Sequence, residues 1–418
     1  MDENAFVCYS IFMKQIVLPV ILLTILCSCD RHPAEIIPRA AREDLFSLEI
    51  GRMEDQIALY NAEGHGLSRN AHIAMRDGLF YISDGLGGKI LHYNTYGELL
   101  FMIYNEETNP PPMSLRPLQD NNLVTRWAVS YPLNEPGEIA VDSRKHIYVR
   151  DRLPADKHSY DIESNALLNN VIIHFDENGR FVEYLGRNGI GGTPFPWVEG
   201  IYTSVDDELA VVCRLPNGWD IYWFGNDGSF IYMVQFKDNM VPIPPGMGDP
   251  SLITSLDAIA AAPDSRHLYV KIDYYKEILD NSGLPLSIEY ESSWFWIMNV
   301  EDGSWEGLVP LPPFESAYSD NNRQIEFSMP YAMQGVFQDG GILLFAPLDE
   351  GYDFLFLIRA ENGIHEQKKC LVQVGSDELE YNAFSLSADG ILSGLLLGEW
   401  EVKLVWWRTD LLIGTESA

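Results

Sequence analysis

The feature that most constrains the fold of this chain is a unit of four short β-type runs, which recurs along most of its length. In the clearest copy, residues 138–185, EIAV and HIYVR flank the turn DSRK, and VIIHF and RFVEYL flank the turn DENG. Apolar and β-branched runs broken by Gly, Asn and Asp are typical of antiparallel strands joined by tight turns. Four such strands make one blade of a β-propeller.

The same order of runs and turns appears in five further stretches, at residues 71–103, 199–236, 255–311, 331–374 and 382–407. The last stretch ends after its third run, and a lone run, LFSLEI at residues 45–50, precedes the first unit. Pairing the chain ends removes an exposed sheet edge. Two stacked β-sandwiches are the alternative, but a repeat of about 40 to 50 residues signals an array. We therefore predict an all-β fold, a six-bladed β-propeller over residues 43–414, whose N-terminal strand closes the last blade.

The N-terminal segment predicts where the protein works. Residues 13–30, MKQIVLPVILLTILCSCD, place Lys14 before an apolar stretch that ends with Ser28 and Cys29. This order is typical of a bacterial lipoprotein signal, in which a small residue precedes the lipidated cysteine. An uncleaved anchor is the alternative, but the apolar stretch is shorter than the roughly 20 residues that a spanning helix needs.

We predict a signal peptide at residues 1–29, starting at 13 if Met13 is the true start, and lipidation at Cys29. A tether follows at 30–42, and residues 415–418 are a tail. The protein is then anchored by lipid in the cell envelope, on the periplasmic or outer-membrane face, and touches the membrane through that anchor only.

Two motifs of the second unit carry a resemblance to a known family. Residues 137–151, GEIAVDSRKHIYVRD, give an inner strand and then a strand that ends in Asp, and VIIHFDENGRF follows at 171–181. These units resemble NHL-type propeller repeats, although the Asp after the second strand is absent from the third, fifth and sixth units. With Cys29, the chain is similar to NHL-like propeller lipoproteins of spirochaetes and other diderm bacteria. The resemblance implies the fold and says little about activity, because propellers serve as enzymes, receptors and scaffolds.

The charge of the chain excludes one class of partner. Its formal net charge is −33, and such an acidic surface repels the phosphates of nucleic acids. The only cysteines after Cys29, Cys213 and Cys370, lie in strand-like runs, where a free cysteine behaves as a small apolar residue. The sequence contains no Cys/His spacing of the zinc-binding type after Cys29.

Connection lengths predict which face of the propeller binds a ligand. Tight turns join strands one to two and three to four of each unit and define the tight-turn face. All other connections share the opposite, long-loop face, which receives five long insertions, at residues 105–136, 153–170, 238–254, 273–292 and 312–330. Long loops retained by a compact domain are usually functional.

We predict that the long-loop face binds another envelope protein, a peptide or a glycan. The candidate binding residues are Arg126, Trp127, Arg150, Asp151 and Trp197. Trp and Arg often anchor interfaces, although any single tryptophan can instead seal a gap between blades.

The sequence contains no nucleophile elbow, metalloprotease helix motif, phosphate-binding loop or dinucleotide fingerprint. Six-bladed lactonases and esterases of similar shape hold a metal at the channel mouth, and the matching positions here are His72, Glu138, Glu199, Asp257 and Asn382. Their oxygen-rich set would suit calcium. The sequence thus predicts a binding or assembly module without a cofactor, and the alternative is a metal-dependent hydrolase or lactonase. A third reading is a mainly structural surface protein.

Overall fold

The computed structural model describes residues 38–60, 66–67, 70–118, 125–248, 252–320, 323–348, 351–359, 365–375, 378, 381–398 and 400–413. The predicted signal peptide, Cys29, residues 30–37 and the tail therefore lie outside the described residues. The described part is almost entirely β-structure, with a few 3₁₀ turns and one short helix. No helix in it has the length and apolar character needed to cross a membrane.

The first sheet follows a strand that belongs elsewhere, β1 (Arg42–Glu49). Its four antiparallel strands are β2 (Ala71–Arg76), β3 (Leu79–Asp84), β4 (Lys89–Asn94) and β5 (Leu99–Tyr104). Two strands of the first insertion, β6 (Arg116–Pro117) and β7 (Trp127–Ser130), extend this sheet at its outer edge. β7 pairs with β5 in parallel, so it runs in the same direction as the strand it covers.

The second and third sheets repeat the four-strand order. The second contains β8 (Pro136–Val141), β9 (Ile147–Arg152), β12 (Asn170–Phe175), β13 (Phe181–Gly186) and the short β14 (Gly189–Ile190). A separate hairpin, β10 (Ser159–Asp161) and β11 (Ala166–Leu168), lies between β9 and β12 in the chain. The third contains β15 (Trp197–Thr203), β16 (Leu209–Leu215), β17 (Gly218–Phe224) and β18 (Phe230–Lys237). 3₁₀ turns lie at Ala155–Lys157 and Asp238–Met240.

The fourth sheet contains β19 (Leu252–Ala261), β20 (His267–Leu279), β21 (Pro285–Asn299) and β22 (Trp305–Leu311). A separate hairpin follows, β23 (Phe314–Asp320) and β24 (Arg323–Met329). The fifth sheet contains β25 (Ala332–Phe337), a 3₁₀ turn (Gln338–Gly340), β26 (Gly341–Leu348), β27 (Gly351–Arg359) and β28 (His365–Val372). The last strands are β29 (Asn382–Leu386), β30 (Leu392–Leu397) and β31 (Glu401–Trp407), and a short helix follows (Asp410–Ile413).

The sheets form a propeller, which confirms the predicted all-β propeller fold. The inner strands β2, β8, β15, β19, β25 and β29 contact one another in this order, and β29 contacts β2. The five sheets that begin with β2, β8, β15, β19 and β25 are each built from one continuous stretch of the chain. The sheet that begins with β29 is different: β1 pairs with β31, with Arg42 opposite Trp407 and Glu49 opposite Glu401, and we call it the composite sheet.

Apolar clusters fill the space between neighbouring sheets. Leu48 of β1 and Leu404 of β31 pack with Phe80 of the first sheet, so the composite sheet is held by burial as well as by its ladder. Burying one large apolar side chain contributes about 1.5 to 3 kcal/mol, which makes these clusters the main source of stability. Cys213 and Cys370 are free, buried members of such clusters, as their strand settings predict.

Three of the long insertions, which the sequence analysis treated as loops, are hairpins. Insertion 153–170 contains β10 and β11, insertion 273–292 continues β20 and β21 beyond the sheet, and insertion 312–330 forms β23 and β24. In the extension of β20 and β21, polar residues interrupt the apolar pattern because both faces meet water, so the sequence does not show a buried-strand pattern. The long-loop face therefore carries protruding β-hairpins.

Candidate functional site

The inner strands line a central channel with a cavity volume of about 260 Å³. Its wall is built mainly from small or apolar residues, among them Ala74, Ala140 and Gly200. Such residues let the inner strands approach one another. His72 and Glu138 bring polar groups to the wall, near the long-loop end of β2 and β8.

Arg150 dominates the mouth of the channel. Its Nε donates to Glu138 Oε2 at 2.7 Å, Nη1 to the carbonyl oxygen of Glu135 at 2.9 Å and Nη2 to Asn70 Oδ1 at 3.2 Å. The backbone passes close beneath it at Gly137, where a Cβ atom would lie 1.8 Å from Nη2. Arg150 is only 8% exposed, so its guanidinium is committed to the protein itself.

The neighbours of Arg150 are also engaged. His72 Nε2 lies 3.7 Å from Glu138 Oε1, and desolvation lowers the pKa of His72, which favours the neutral imidazole. The carboxylate of Asp151 accepts the backbone N–H groups of Asn134 and Glu135 at 3.1 and 2.8 Å. Burial raises the pKa of Asp151 to about 6. Arg150 and Asp151, which were predicted to bind a ligand, are thus buried parts of the framework.

The other candidate metal ligands each have a partner of their own. Glu199 accepts the indole N–H of Trp197 at 3.0 Å. Asp257 pairs with the buried Lys271 at 2.8 Å, and Asn382 donates to the hydroxyl of Tyr352 at 2.8 Å. The structure therefore brings His72 and Glu138 together but not the full predicted set. Among the described residues, no group of three or more His, Cys, Asp and Glu side chains is arranged to hold a metal ion.

Arg126 and Trp127 lie at the tight-turn end of the first sheet, and not on the long-loop face where they were predicted. Arg126 Nε donates to the carbonyl of Leu99, the first residue of β5, at 2.8 Å. The Trp127 indole stacks on Phe101 and donates to the carbonyl of Asn178, in the β12–β13 turn, at 2.8 Å. The cause is the parallel course of β7, which carries these residues back toward the start of β5. Trp127 therefore seals the junction between the first and second sheets.

Trp197 is the predicted binding residue that the structure leaves open to a ligand. It lies at the start of β15, is 59% exposed, and its indole N–H is fixed by Glu199. It lines an open groove of about 680 Å³ beside the β10–β11 hairpin, which we call the hairpin groove. The other lining residues include Arg152, Asn165, Leu167, Asn169, Glu199, Arg214 and Pro216.

A second groove of about 790 Å³ lies on the other side of the same hairpin, and Leu215 lines both grooves. Arg187 Nη1 pairs with Asp161 at 2.9 Å, while its Nε and the Ser164 hydroxyl are buried without a partner among the described residues. Asp220 accepts hydrogen bonds from Tyr222 and Gln235 at 3.2 and 3.1 Å, and burial raises its pKa.

Sequence reasoning missed the arginines and Asp220 of these grooves. Two of them carry a sequence signal, a charged residue in an apolar run: Arg214 in LAVVCRL and Asp220 in GWDIYWF. A charged residue inside a buried strand implies a local partner or a ligand, because burying an isolated charge is costly.

Comparisons with known proteins add the following findings. No protein family model and no curated protein sequence matches the chain. The chain is similar in structure to a putative gluconolactonase at 12% identity, with 90% of this chain and 93% of that chain covered and a TM-score of 0.37. It is also similar to a glucose dehydrogenase at 11% identity, with 88% of this chain and 99% of that chain covered and a TM-score of 0.37.

A further similar structure is the Pyrococcus horikoshii acylaminoacyl peptidase, at 13% identity and a TM-score of 0.32. The match covers 62% of this chain but only 35% of the peptidase, so the chain spans about a third of that protein's length.

Proposed function

We propose that this propeller is a binding module that takes up an extended ligand in the hairpin groove. The observation that carries the proposal is Trp197, an exposed indole whose N–H is already fixed by Glu199, so that its face is presented to the groove. Trp is among the most frequent anchors of interfaces. Arg152 and Arg214 lie in the same groove and supply hydrogen-bond donors.

The chemistry of the groove favours a glycan. An indole face packs on the C–H face of a sugar ring, while arginine, asparagine and carboxylate groups hydrogen-bond hydroxyl groups. The second groove beyond Leu215 is also rich in such groups, which extends the surface available to a chain of several sugars. A peptide is the competing ligand and is distinguished by experiment.

We also propose that the module is displayed in the cell envelope by a lipid on Cys29, a prediction that rests on the MKQIVLPVILLTILCSC segment. We further propose that the composite sheet is the sixth blade of the propeller. The four-strand units are proposed to be repeats of the NHL type. A lipid anchor places the propeller beside the membrane, where envelope glycans and proteins are at hand.

The second candidate function is the hydrolase or lactonase at the channel mouth. It is favoured by one observation, the contact of His72 with Glu138. However, Glu138 also holds the buried Arg150, so a metal there would compete with a protein cation at 2.7 Å.

The test uses the purified chain on immobilised oligosaccharides and peptides. Trp197→Ala should weaken binding at least tenfold, because an anchoring tryptophan contributes 2 kcal/mol or more when it is truncated, about a thirtyfold change. Trp400→Ala is the matched control, since Trp400 is a similarly exposed tryptophan outside the groove. Equal binding by wild type and Trp197→Ala would show that the hairpin groove is not the binding site. Binding to peptides alone would show that the ligand is a peptide and not a glycan.

A further inference from the structure

A second surface on the long-loop face is an open strand edge. Strand β21 pairs with β20 from Pro285 to Asn299, but its pairing with β22 begins only at Ser293. Residues 285–291 of β21 therefore have a sheet partner on one side only among the described residues. Exposed edges of this kind are templates for added strands, and proteins usually cover or blunt them.

The edge presents an apolar row to solvent. Leu284, Leu286 and Ile288 are 64%, 71% and 61% exposed. Leu284 lies directly before β21, Leu286 lies at a bulge of the β20–β21 ladder, and Ile288 pairs opposite Glu277. The row lies on the hairpin that projects beyond the fourth sheet and contributes nothing to an apolar core cluster.

Carboxylates surround this row. Glu289 and Glu291 follow it on the same strand, and Glu315 and Glu326 of the β23–β24 hairpin line a cleft of about 910 Å³ together with Ile288 and Glu289. Lys276 of β20 lies opposite Glu289 in the ladder, so one basic residue stands beside this group of four glutamates. The cleft thus combines an unpaired backbone edge with the exposed side chain of Ile288 and an excess of negative charge from Glu289, Glu315 and Glu326.

We propose that this edge binds an extended segment of a partner protein that alternates basic and apolar residues and adds to β21 as a further strand. Backbone hydrogen bonds along residues 285–291 give affinity in this mode, and side chains of alternating chemistry give specificity. The apolar residues of the segment cover the row at 284–288, while its Lys or Arg residues meet Glu289, Glu315 and Glu326.

Charge decides between this occupant and two others. A second copy of the chain, which has a net charge of −33, would bring further carboxylates to this edge, and like charges on paired strands are destabilising. An anionic membrane surface would be repelled by the same carboxylates. The site lies on the fourth sheet and is separate from the hairpin groove between the second and third sheets, so it does not depend on the glycan proposal.

The test measures binding of a labelled peptide of alternating Lys and Val to the full chain by fluorescence anisotropy. The expected result is saturable binding that weakens at least tenfold between 50 mM and 500 mM salt, whereas a Glu–Val peptide does not bind. Two further peptides carry N-methyl groups on alternate backbone nitrogens, one at the odd-numbered and one at the even-numbered residues. At least one of them should fail to bind, because an added strand points alternate N–H groups at the edge.

Glu289→Lys should weaken binding at least tenfold. Asp156→Lys is the matched control, since it makes the same charge change at an exposed site in the 3₁₀ turn of the second sheet, and it should stay within twofold of wild type. The proposal is overturned if the Lys–Val peptide fails to bind, if Glu289→Lys and Asp156→Lys weaken it equally, or if both methylated peptides bind like the parent.

Discussion

Arg150 Nε lies 2.7 Å from Glu138 Oε2 at the mouth of the central channel, with 10% and 17% of the two side chains exposed. This ion pair occupies the channel mouth, where the sequence suggested a candidate metal site, and it neutralises the carboxylate of Glu138. Because Arg150 also donates to the carbonyl of Glu135, it ties β9 to the chain segment that enters the second sheet.

Removing this arginine should therefore destabilise the fold. In Arg150→Ala, Glu138 stays largely buried without its partner, and breaking a buried pair from one side costs about 3 to 5 kcal/mol. Urea denaturation at pH 7 measures the loss. The control is Arg152→Ala, which removes a partly exposed pair with Glu135 at 3.1 Å and should cost less than about 1 kcal/mol. Equal costs would mean that Arg150 is not a framework residue.

The second prediction concerns the contribution of the composite sheet to stability. Leu48 of β1 is 4% exposed and packs with strands from both chain ends, so Leu48→Ala should cost about 2 to 5 kcal/mol. Met53→Ala, at an exposed position shortly after β1, should change the free energy of unfolding by less than about 0.5 kcal/mol. A mild effect of Leu48→Ala would show that β1 is not part of the core.

The ends of the chain also meet in a buried carboxylate. Glu378 accepts hydrogen bonds from Arg42 of β1 at 2.7 Å and from Lys403 of β31 at 2.9 Å. The hydrogen bond from Arg42 is the main cause that lowers the pKa of Glu378 to about 2. A lowered carboxyl pKa stabilises the fold above the unfolded value of about 4.3, and this contribution is lost as the pH falls toward 2.

Glu378→Gln should therefore lower stability at pH 7 by about 2 kcal/mol relative to wild type. The difference between the two proteins should shrink as the pH falls from about 4.5 to about 2. Unfolding free energies measured by urea titration at several pH values give the comparison. A difference that is independent of pH would exclude the ion pairs as its origin.

His92 differs from Glu378 because its lowered pKa reduces the stability of the fold at acidic pH. Its ring is stacked against Tyr81 and lies against Phe101, and neither ring nitrogen has a hydrogen-bond partner among the described residues. Desolvation lowers its pKa to about 4. The unfolded chain takes up this proton near pH 6.5 and the folded protein only near pH 4, so His92 reduces stability progressively as the pH falls through this window.

His92→Phe keeps the ring contacts and removes the two unpartnered nitrogens. Stability should then fall less steeply between pH 6.5 and 4, and it should not decrease at pH 7. Thermal melts across this pH range test the prediction. A variant whose pH dependence matches that of wild type would show that His92 is solvated or charged in the fold.

The sequence was a reliable guide to the propeller and a partial guide to the site. The second unit was readable because its buried strands, such as VIIHF, contrast with short Asp/Asn/Gly turns. The β20–β21 extension was not, since a hairpin with both faces in water has no apolar face to reveal it. Trp197, which the sequence analysis assigned to the long-loop face, is the first residue of β15 and is exposed.

Arg150 and Trp127 show what spacing alone does not reveal. Arg150 lies at the long-loop end of its strand, as predicted, but its partners Asn70 and Glu135 come from other parts of the chain and bury it. Trp127 follows a parallel strand that no tight turn announces. In both cases the outcome depends on contacts between distant segments, which a single sequence does not encode in a local pattern.

The most direct test of the central claim is a thermal-shift screen of oligosaccharides and peptides on wild type, Trp197→Ala and His72→Ala. A ligand that binds only the folded state stabilises it by about 2.7 kcal/mol at a hundredfold excess over its dissociation constant. Binding in the hairpin groove predicts that the shift disappears in Trp197→Ala and persists in His72→Ala. A shift that persists in Trp197→Ala and disappears in His72→Ala would contradict it and place the ligand at the channel mouth.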